Sequence, residues 1–393
     1  MSKICIIGPS KKFYSGLSAC TIALSNALAQ ENQISVILLR NLLPRSLYPG
    51  KSHIGRTDYL LDFSPEVNVF DGMDWNSPVS WVKALAFLFK TKPDAVVMMW
   101  WTSSVAHMQL LLMLAGKLFL RKSLWILELH EIVDSLEQGI GIIRLYSRIM
   151  NWIEVRLADR LIVHSTAVKV QLAEMYHAGE NRTSVIPVGL FEIYHRDLDS
   201  RIVRQELSIS ADFVVLYFGS VRKYKGVPFL IEAFNELPER VRDRSQLVIA
   251  GENWRDDSLI SAAITASSAR DHILYRPQFV PDDMVPKYFA AADVIVLPYL
   301  RTCGSAVINI AMACGKPIIT TDLSTLRESA ADYQGVTFVP TASPEAIARS
   351  VSELFDLKSR GELSSYPLPK HTWNYVAQRF VTLINMRQEK RRL

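Results

Sequence analysis

Short apolar runs recur along the first half of the chain and alternate with stretches of helical periodicity. The runs lack the strict period of two that a half-buried strand shows, so they predict strands buried on both faces of a parallel sheet. The predicted strands of this half are Lys3–Gly8, Ile34–Leu39, Ala95–Met99, Leu124–Leu129, Leu161–His164 and Ser184–Ile186. A helix over Ala19–Ala29 separates the first two. Because parallel strands need crossover helices, this half predicts a doubly wound α/β domain.

A second series of the same kind begins after a polar, charged stretch at about Tyr194–Ser210. Its predicted strands are Asp212–Phe218, Gln246–Ala250, Ile273–Tyr275, Val294–Leu297 and Pro317–Thr320, with a helix over Val227–Leu237. We therefore predict two Rossmann-like doubly wound domains, residues 1–195 and 196–371. A final helix over 372–390 follows two prolines and could pack back on the first domain.

Composition narrows the class of protein. The chain has 393 residues and a net charge of +5, far from the strong basic excess of a nucleic-acid-binding protein. Its four cysteines are scattered without a C-x-x-C pair, which indicates neither a zinc site nor a disulfide framework. We recognise no signal peptide, and the longest apolar stretch, Met108–Leu120, is too short to span a bilayer. We expect a cytoplasmic protein without a metal site.

The predicted pair of sheets indicates where a ligand would bind. In doubly wound folds, ligands lie at the carboxyl ends of the strands, beside helix N-termini. Two such edges facing a cleft would hold a phosphorylated donor on one side and an acceptor on the other. This arrangement favours a group-transfer enzyme.

A basic loop bounded by glycines follows the predicted strand Asp212–Phe218. Gly219 and Gly226 permit tight turns, and Arg222 and Lys225 lie between them. Arginine binds phosphate oxygens bidentately, and lysine supplies a compact positive charge. In the absence of a metal, such cations must stabilise a departing diphosphate. The alternative is a solvated basic loop that binds no ligand.

Gly304 and Ser305 are predicted to begin the helix that runs to Cys314. Their N–H groups would meet a diphosphate, because a helix N-terminus carries partial positive charge. The alternative is an ordinary strand-to-helix turn. Gly251 ends a further strand of the same series.

Four segments in register resemble glycosyltransferase family 4, whose members are retaining enzymes with the GT-B fold. The matching segments are Tyr217–Phe234, Leu247–Glu252, Ala290–Pro298 and Leu297–Thr320, and Ile6–Ser10 and Ser15–Leu17 are similar to the family's first strand and acceptor-side loop. The resemblance covers nearly the whole chain. It implies a GT-B fold, a metal-independent transfer with retention by front-face attack, and a donor sugar linked to UDP or GDP.

The resemblance also assigns a candidate site. It implies catalytic roles for Arg222, Lys225 and His130, with His130 directed at the transferred sugar. The donor-binding residues that it implies are Gly16, Gly219, Gly251, Phe279, Val280, Thr302, Gly304 and Ser305, with Phe279 and Val280 at the nucleotide base. A structural histidine is the alternative reading of His130. The segment that begins at His130 lacks the second histidine of the H-E-x-x-H motif of zinc proteases. His164 also follows a strand, and we interpret it as a structural or acceptor-side residue.

One departure from the family pattern concerns two glutamates of the donor segment, which contact the sugar hydroxyls and the ribose. Alignment on Ala311–Pro317 places Thr302 and Ile310 at those positions. Isoleucine cannot accept a hydrogen bond from a ribose hydroxyl. The segment resembles instead a branch placed in bacterial polysaccharide or glycolipid assembly, to which Leu47–Lys51 and Trp100–Thr102 are also similar.

The leading function is therefore a hexosyltransferase that moves a sugar from a nucleotide-sugar donor to a saccharide or lipid-linked acceptor in cell-surface polysaccharide synthesis. The alternatives are a nucleotide-sugar epimerase of the same fold and a catalytically degenerate scaffold or partner subunit. We expect no nucleic-acid partner and no cofactor beyond the nucleotide-sugar co-substrate. The stretches Trp81–Lys90 and Met108–Arg121 are either crossover helices against the sheet or peripheral contacts with the inner face of a membrane.

Overall fold

A computed structural model describes residues 1–13, 16–42, 59–132, 141–253 and 257–390. Contacts within the chain divide the described residues into two compact units. The first unit falls within Met1–Thr57, Leu61–Gly189 and His371–Leu393, and the second within Asp58–Leu60 and Leu190–Lys370. Each unit contains its own parallel sheet.

The first unit is built on a seven-stranded sheet in which every pairing is parallel. Its strands are β1 (Lys3–Pro9), β2 (Gln33–Asn41), β3 (Asn68–Asp74), β4 (Ala95–Trp100), β5 (Leu124–Leu129), β6 (Arg160–Val163) and β7 (Thr183–Val185). The spatial order is β3-β2-β1-β4-β5-β6-β7. The central strands β4 and β5 are buried along their whole length, as continuous apolar runs require.

Helices cover both faces of this sheet. They are α1 (Gly16–Ala29), α2 (Pro78–Thr91), α3 (Ala106–Phe119), α4 (Gly141–Leu157) and α5 (Thr166–Tyr176), and a late helix returns to the unit. Connections between parallel strands are right-handed. Helix α1 connects β1 to β2, toward the β3 edge of the sheet, whereas α3 and α4 connect β4 to β5 and β5 to β6, toward the β7 edge. Helix α1 therefore covers one face of the sheet, and α3 and α4 cover the opposite face. Helix α2 starts where the Ser77 side chain accepts a hydrogen bond from Ser80 N, and ends at Lys92 in the left-handed conformation.

The second unit is built on a six-stranded parallel sheet. Its strands are β8 (Phe213–Phe218), β9 (Ser245–Ala250), β10 (Ile273–Arg276), β11 (Val294–Leu297), β12 (Ile318–Thr321) and β13 (Val336–Val339). The spatial order is β10-β9-β8-β11-β12-β13. The chain therefore winds outward from β8 in one direction and from β11 in the other, which makes the gap between β8 and β11 the topological switch point.

The helices of the second unit and the late helix complete the chain. They are α6 (Ser200–Glu206), α7 (Val227–Asn235), α8 (Glu239–Arg242), α9 (Asp257–Ala266), α10 (Val285–Ala291), α11 (Ala306–Ala313), α12 (Ser324–Ser329), α13 (Pro344–Ser359) and α14 (Trp373–Lys390). Helix α14 is the one that returns, and Val376, Phe380 and Ile384 on it lie in the core of the first unit.

The predicted fold class is confirmed, and eleven of the thirteen strands in the described residues lie where the apolar runs predict them, within one or two residues. The two that the sequence did not predict, β3 and β13, are edge strands. They are partly exposed, so their sequences mix polar and apolar residues instead of forming a continuous apolar run. Among the described helices, none is both long enough and apolar enough to cross a membrane.

Candidate donor site in the second unit and histidine cluster in the first

Two glycines shape the loop that follows β8. Gly219 and Gly226 have φ angles of 104° and 67°, in the left-handed region that favours glycine. A Cβ on Gly226 would lie 1.9 Å from the carbonyl oxygen of Pro298, which follows β11. The glycine therefore lets the loop after β8 approach the backbone of the loop after β11.

Further contacts join these two loops. The N–H of Leu300 donates to the carbonyl oxygen of Tyr224 over 2.8 Å. The guanidinium of Arg301 lies 5.3 Å from the centroid of the Tyr224 ring. The loops after β8 and β11 therefore form one continuous surface at the topological switch point, where doubly wound folds bind their ligands.

Lys225 lies at the junction of the two loops. Its Nζ is 5.3 Å from the centroid of the Tyr299 ring, and 3.5 Å from the position that a Cβ on Gly219 would occupy. The Tyr299 hydroxyl is in turn 3.3 Å from Ser305 Oγ. Tyr299 is buried, and both the ammonium group and the serine lie against it. Half-buried Arg222 lies in the same short loop.

Ser305 is the N-cap residue of α11, as predicted, although its side chain makes no capping hydrogen bond. The preceding turn is held by Thr302, whose hydroxyl donates to Gly304 O over 2.5 Å and accepts from Gly304 N over 3.1 Å. A Cβ on Gly304 would meet no atom within 4 Å, so the start of the helix is open. Uncapped N–H groups at an open helix start are a site for an anion.

The two positions that depart from the family pattern are structurally different. The Thr302 hydroxyl is used within its own turn, and its carbonyl accepts from Thr325 Oγ1 over 3.1 Å. Ile310 is buried in α11. The Ile310 side chain therefore cannot replace a carboxylate as an acceptor, and the Thr302 hydroxyl already has two hydrogen bonds within its own turn.

The loops after β9 and β10 continue the same edge. Gly251 has a φ of 143°, and a Cβ there would lie 2.2 Å from Gly219 O. Asn253 N donates to Pro277 O over 3.2 Å, which joins the loop after β9 to the loop after β10. Phe279 and Val280 follow β10, the edge strand, which is separated from β8 by β9.

The other candidates, Gly16 and His130, belong to the first unit. Gly16 is exposed at the first residue of α1, and Ser15 before it lies outside the described residues, as do Leu47–Lys51. Trp100 is fully buried and so belongs to the core, whereas Trp101 is partly buried against it.

His130 forms part of a cluster with two residues that were not included in the predicted site. Strands β5 and β6 pair in parallel with Glu128 beside Ile162, and two residues further along this register His130 lies beside His164. His164 Nε2 is 3.1 Å from His130 Nδ1, and Glu128 Oε1 is 3.5 Å from His130 Nε2. The period of two and the adjacent strand ends are the sequence signals that could have identified Glu128 and His164.

Hydrogen bonding decides where the protons lie in this cluster. His164 Nδ1 is 2.9 Å from Ile186 O, and because a carbonyl only accepts, Nδ1 carries the hydrogen. Burial, and then the charge of His130, lowers the pKa of His164 to about 4, so its ring is neutral and its Nε2 accepts. His130 Nδ1 therefore donates to it. The second nitrogen of His130 faces Glu128 and is buried.

Glu128 supplies negative charge beside these rings. Burial acts to raise the pKa of Glu128, but the charge of His130 and its interaction with the carboxylate outweigh burial and hold the pKa below the usual range. Within the described residues, Glu128, His130 and His164 place one ligand atom each within 4.8 Å of one another, a donor set that a divalent transition metal accepts. In the observed arrangement two of the nitrogens are hydrogen-bonded to each other instead.

Comparison with known proteins finds similarity both in sequence and in fold. Residues 199–366 match the family described as glycosyl transferases group 1, and this segment contains both loops of the candidate donor site. Among curated proteins, D-inositol 3-phosphate glycosyltransferase from Acidothermus cellulolyticus is 27% identical over 217 residues, which cover 53% of this chain and 48% of the relative. The chain thus spans about half the length of the curated relatives it matches.

Solved structures resemble the chain over nearly its whole length. Sucrose-phosphate synthase from Thermosynechococcus elongatus has a TM-score of 0.71 at 18% identity and covers 99% of this chain and 100% of its own. HepE from Anabaena, solved in complex with UDP and glucose, has a TM-score of 0.65 at 18% identity and covers 99% of each chain. At this identity the likeness shows the fold alone, which is of the GT-B type.

Proposed function

We propose that the protein is a glycosyltransferase that uses a nucleotide-sugar donor. Its second unit matches glycosyl transferases group 1 over residues 199–366. The observation that supports this proposal most strongly is the junction at the topological switch point. There Lys225 and Ser305 share Tyr299, next to the open start of α11. A compact cation beside uncapped N–H groups suits the diphosphate of a sugar nucleotide.

The proposed chemistry transfers a glycosyl group. The bond between the anomeric carbon and the diphosphate oxygen breaks, and the nucleoside diphosphate leaves with the electron pair. The acceptor hydroxyl oxygen forms the new glycosidic bond, and its proton passes to the departing diphosphate. Arg222 and Lys225 neutralise the charge that develops on the leaving group. For His130 we propose a role in orienting the transferred sugar.

The finer parts of the proposal extend the resemblance to family 4. The transfer retains the anomeric configuration by front-face attack, needs no metal and takes a donor linked to UDP or GDP. The acceptor is a saccharide or a glycolipid of a cell-surface polysaccharide pathway, and the protein acts in the cytoplasm. The curated relatives named for D-inositol 3-phosphate and the structure solved with UDP and glucose motivate a first panel of acceptors and donors.

Lys225→Ala tests the central role, with Lys223→Ala as the matched control from the same loop. Lys223 is exposed, whereas Lys225 lies over Tyr299. We expect Lys225→Ala to weaken UDP or GDP binding by about 10- to 100-fold in calorimetry, because it removes a charge-assisted contact. Turnover should fall by about 100- to 1,000-fold. Lys223→Ala should change either quantity by less than about threefold.

Thermal unfolding of both variants separates loss of function from loss of fold. Equal effects of the two substitutions, with intact folding, would remove Lys225 from the donor site.

A second candidate, a catalytically degenerate partner subunit, is favoured by the buried Ile310 and the internally bonded Thr302. Nucleotide binding by the wild-type chain with no turnover of any donor would select that candidate. Isomerisation of the donor without an acceptor would instead select an epimerase.

A further inference from the structure

Helix α4 has its polar and apolar faces reversed. Its buried side carries Ser147, Asn151 and Glu154, each 0% exposed. Its exposed side carries Leu145, Ile149 and Trp152, at 61%, 45% and 47% exposure. A surface helix of a globular protein normally turns its apolar stripe to the core. Val155 of the same helix is buried, but Leu145, Ile149 and Trp152 contribute little to the core of their own unit.

A hydrogen bond connects the buried polar side of α4 to α5. Asn151 Nδ2 donates to the Tyr176 hydroxyl over 2.9 Å. Glu154 lies beside the indole of Trp100, and burial raises the pKa of its carboxyl group well above the usual range. A neutral carboxylic acid can remain in the interior, where an ionised one would be expelled.

Cations alternate with the apolar side chains on the exposed side of α4. Arg144, Arg148 and Arg156 are all exposed, at intervals of four or eight residues that place them on one stripe. The guanidinium of Arg156 lies 5.2 Å from the centroid of the Trp152 ring. Glu154 is the single acidic residue of the helix, and it is buried. The exposed stripe is therefore both apolar and positively charged.

Two neighbouring helices extend this surface. Tyr146 on α4 contacts His107 on α3 over 3.4 Å, and the His107 ring contacts Trp81 on α2 with centroids 5.6 Å apart. Exposed apolar side chains on these two helices are Val79, Val82, Leu114, Leu118 and Phe119. Each of the three helices, taken together with the basic residues that directly follow α2 and α3, contains three lysines or arginines. The segments counted are residues 78–92, 106–122 and 141–157. Apart from the buried Glu154, these segments contain no acidic residue.

We propose that this surface, the exposed side of α2, α3 and α4, docks on a bilayer that contains anionic phospholipids. We refer to it as the three-helix face. Tryptophan and aliphatic side chains enter the boundary between headgroups and acyl chains, while lysine and arginine reach the phosphates. The occupant must be anionic and apolar at once, and a lipid surface meets both requirements across three adjacent helices. The inference rests on the proposed function in one respect: an enzyme docked through this face would reach a lipid-linked acceptor.

A cavity next to the stripe agrees with a lipid occupant. It has a volume of about 490 Å³ and is lined by Arg148, Ile149, Trp152, Met175 and Tyr176. An arginine among apolar and aromatic side chains suits the junction of a phosphate headgroup with its chains.

Vesicle flotation of the full chain tests the proposal. The vesicles contain phosphatidylcholine alone, or phosphatidylcholine mixed with phosphatidylglycerol. We expect the wild-type chain to float with the mixed vesicles, and less so as salt is raised. Because each cation near an anionic surface contributes about fivefold in affinity, Arg148→Glu should weaken binding by at least about tenfold.

Matched controls come from the second unit. Arg349→Glu changes the same charge at an exposed arginine of α13 and should leave vesicle binding unchanged. Leu145→Gln should weaken binding, whereas Leu259→Gln, at a leucine of almost equal exposure (63%), should not. Circular dichroism and UDP calorimetry of each variant show that the fold and the nucleotide site are intact.

Three outcomes would overturn the inference. They are no flotation with either vesicle, equal losses in the test and control variants, and binding to an RNA oligonucleotide without binding to vesicles. If the chain binds UDP but does not float with vesicles, the proposed docking surface is wrong and the proposed function is unaffected. If vesicles bind while neither UDP nor GDP does, the reverse holds.

Discussion

Two glycines of the second unit have nearly the same backbone conformation but different surroundings. Gly226 and Gly361 have φ angles of 67° and 72°. A Cβ on Gly226 would lie 1.9 Å from Pro298 O, whereas a Cβ on Gly361 would meet nothing within 4 Å. Comparing the two positions therefore distinguishes two contributions to the free energy of unfolding. One is the cost of a left-handed backbone, and the other is the cost of moving the two loops of the candidate donor site apart.

Alanine substitution measures these two costs. Gly361→Ala should lower the free energy of unfolding by about 1 kcal/mol, the cost of a left-handed non-glycine residue. Gly226→Ala should lower it by about 2 kcal/mol more, because the Pro298 backbone must shift, and it should also weaken nucleotide binding. Urea unfolding and UDP or GDP calorimetry measure the effects. Equal losses at both positions would contradict the close approach of the two loops.

The cluster of Glu128, His130 and His164 shows what a residue pattern leaves open. The sequence indicated that two histidines follow strands, but it did not show that the strands are neighbours. The register of β5 against β6 brings the rings within 3.1 Å. Both nitrogens of His130 then face protein groups, so the role proposed for this ring at the sugar remains a prediction.

At the scale of elements, α14 belongs to the first unit although it follows the second in sequence. Its residues Val376, Phe380 and Ile384 recur every four positions and lie in the core with Leu24 and Leu28 of α1. The helix thus covers the face of the sheet that α1 covers, and it contributes apolar area that the first unit would otherwise expose.

Phe380→Ala should destabilise this packing strongly. Removal of a buried phenylalanine typically lowers the free energy of unfolding by about 3–5 kcal/mol, because a cavity remains. Tyr375→Ala removes an aromatic ring from the exposed side of the same helix and should cost less than about 1 kcal/mol. Denaturant unfolding followed by circular dichroism compares the two variants. If their unfolding curves coincide, α14 does not hold the core in the way described.

Sequence patterns did not predict two of the four edge strands, β3 and β13, whereas the edge strands β7 and β10 were predicted. Central strands such as β4 are buried on both faces, so burial selects a continuous apolar run that can be read directly. The edge strand β3 contains Asp71 and Gly72 and is mostly exposed or half-buried. It is a strand because β2 offers it hydrogen bonds along a parallel register, which is a tertiary effect and leaves a weak local signal.

At the scale of the whole molecule, the charge that stabilises a leaving diphosphate is proposed to come from the protein itself. In this proposal, Arg222, Lys225 and the N-terminus of α11 supply that charge within the second unit. The cluster of two histidines and a glutamate lies in the first unit and has its own hydrogen bonds. Turnover should therefore not depend on a divalent ion.

Chelation tests this independence. We expect turnover in excess EDTA to stay within about twofold of its untreated value, because no step relies on a metal as Lewis acid. Elemental analysis of the purified chain should find no divalent metal in stoichiometric amount. Activity that disappears in EDTA and returns with a single divalent ion would show the proposal of a metal-independent transfer to be wrong, and Glu128→Gln would then show whether the histidine cluster holds that ion.

The sequence by itself determined the fold class, most of the strands and the glycine-bounded basic loop. Burial on both faces and backbone conformation act on each residue locally, so they leave a pattern in the chain. Only the tertiary structure decided which loops share the switch point between β8 and β11, that Glu128 and His164 join His130, and that α4 turns its arginines and tryptophan outward. These features depend on strand order, register and helix rotation, which bring together residues far apart in the chain.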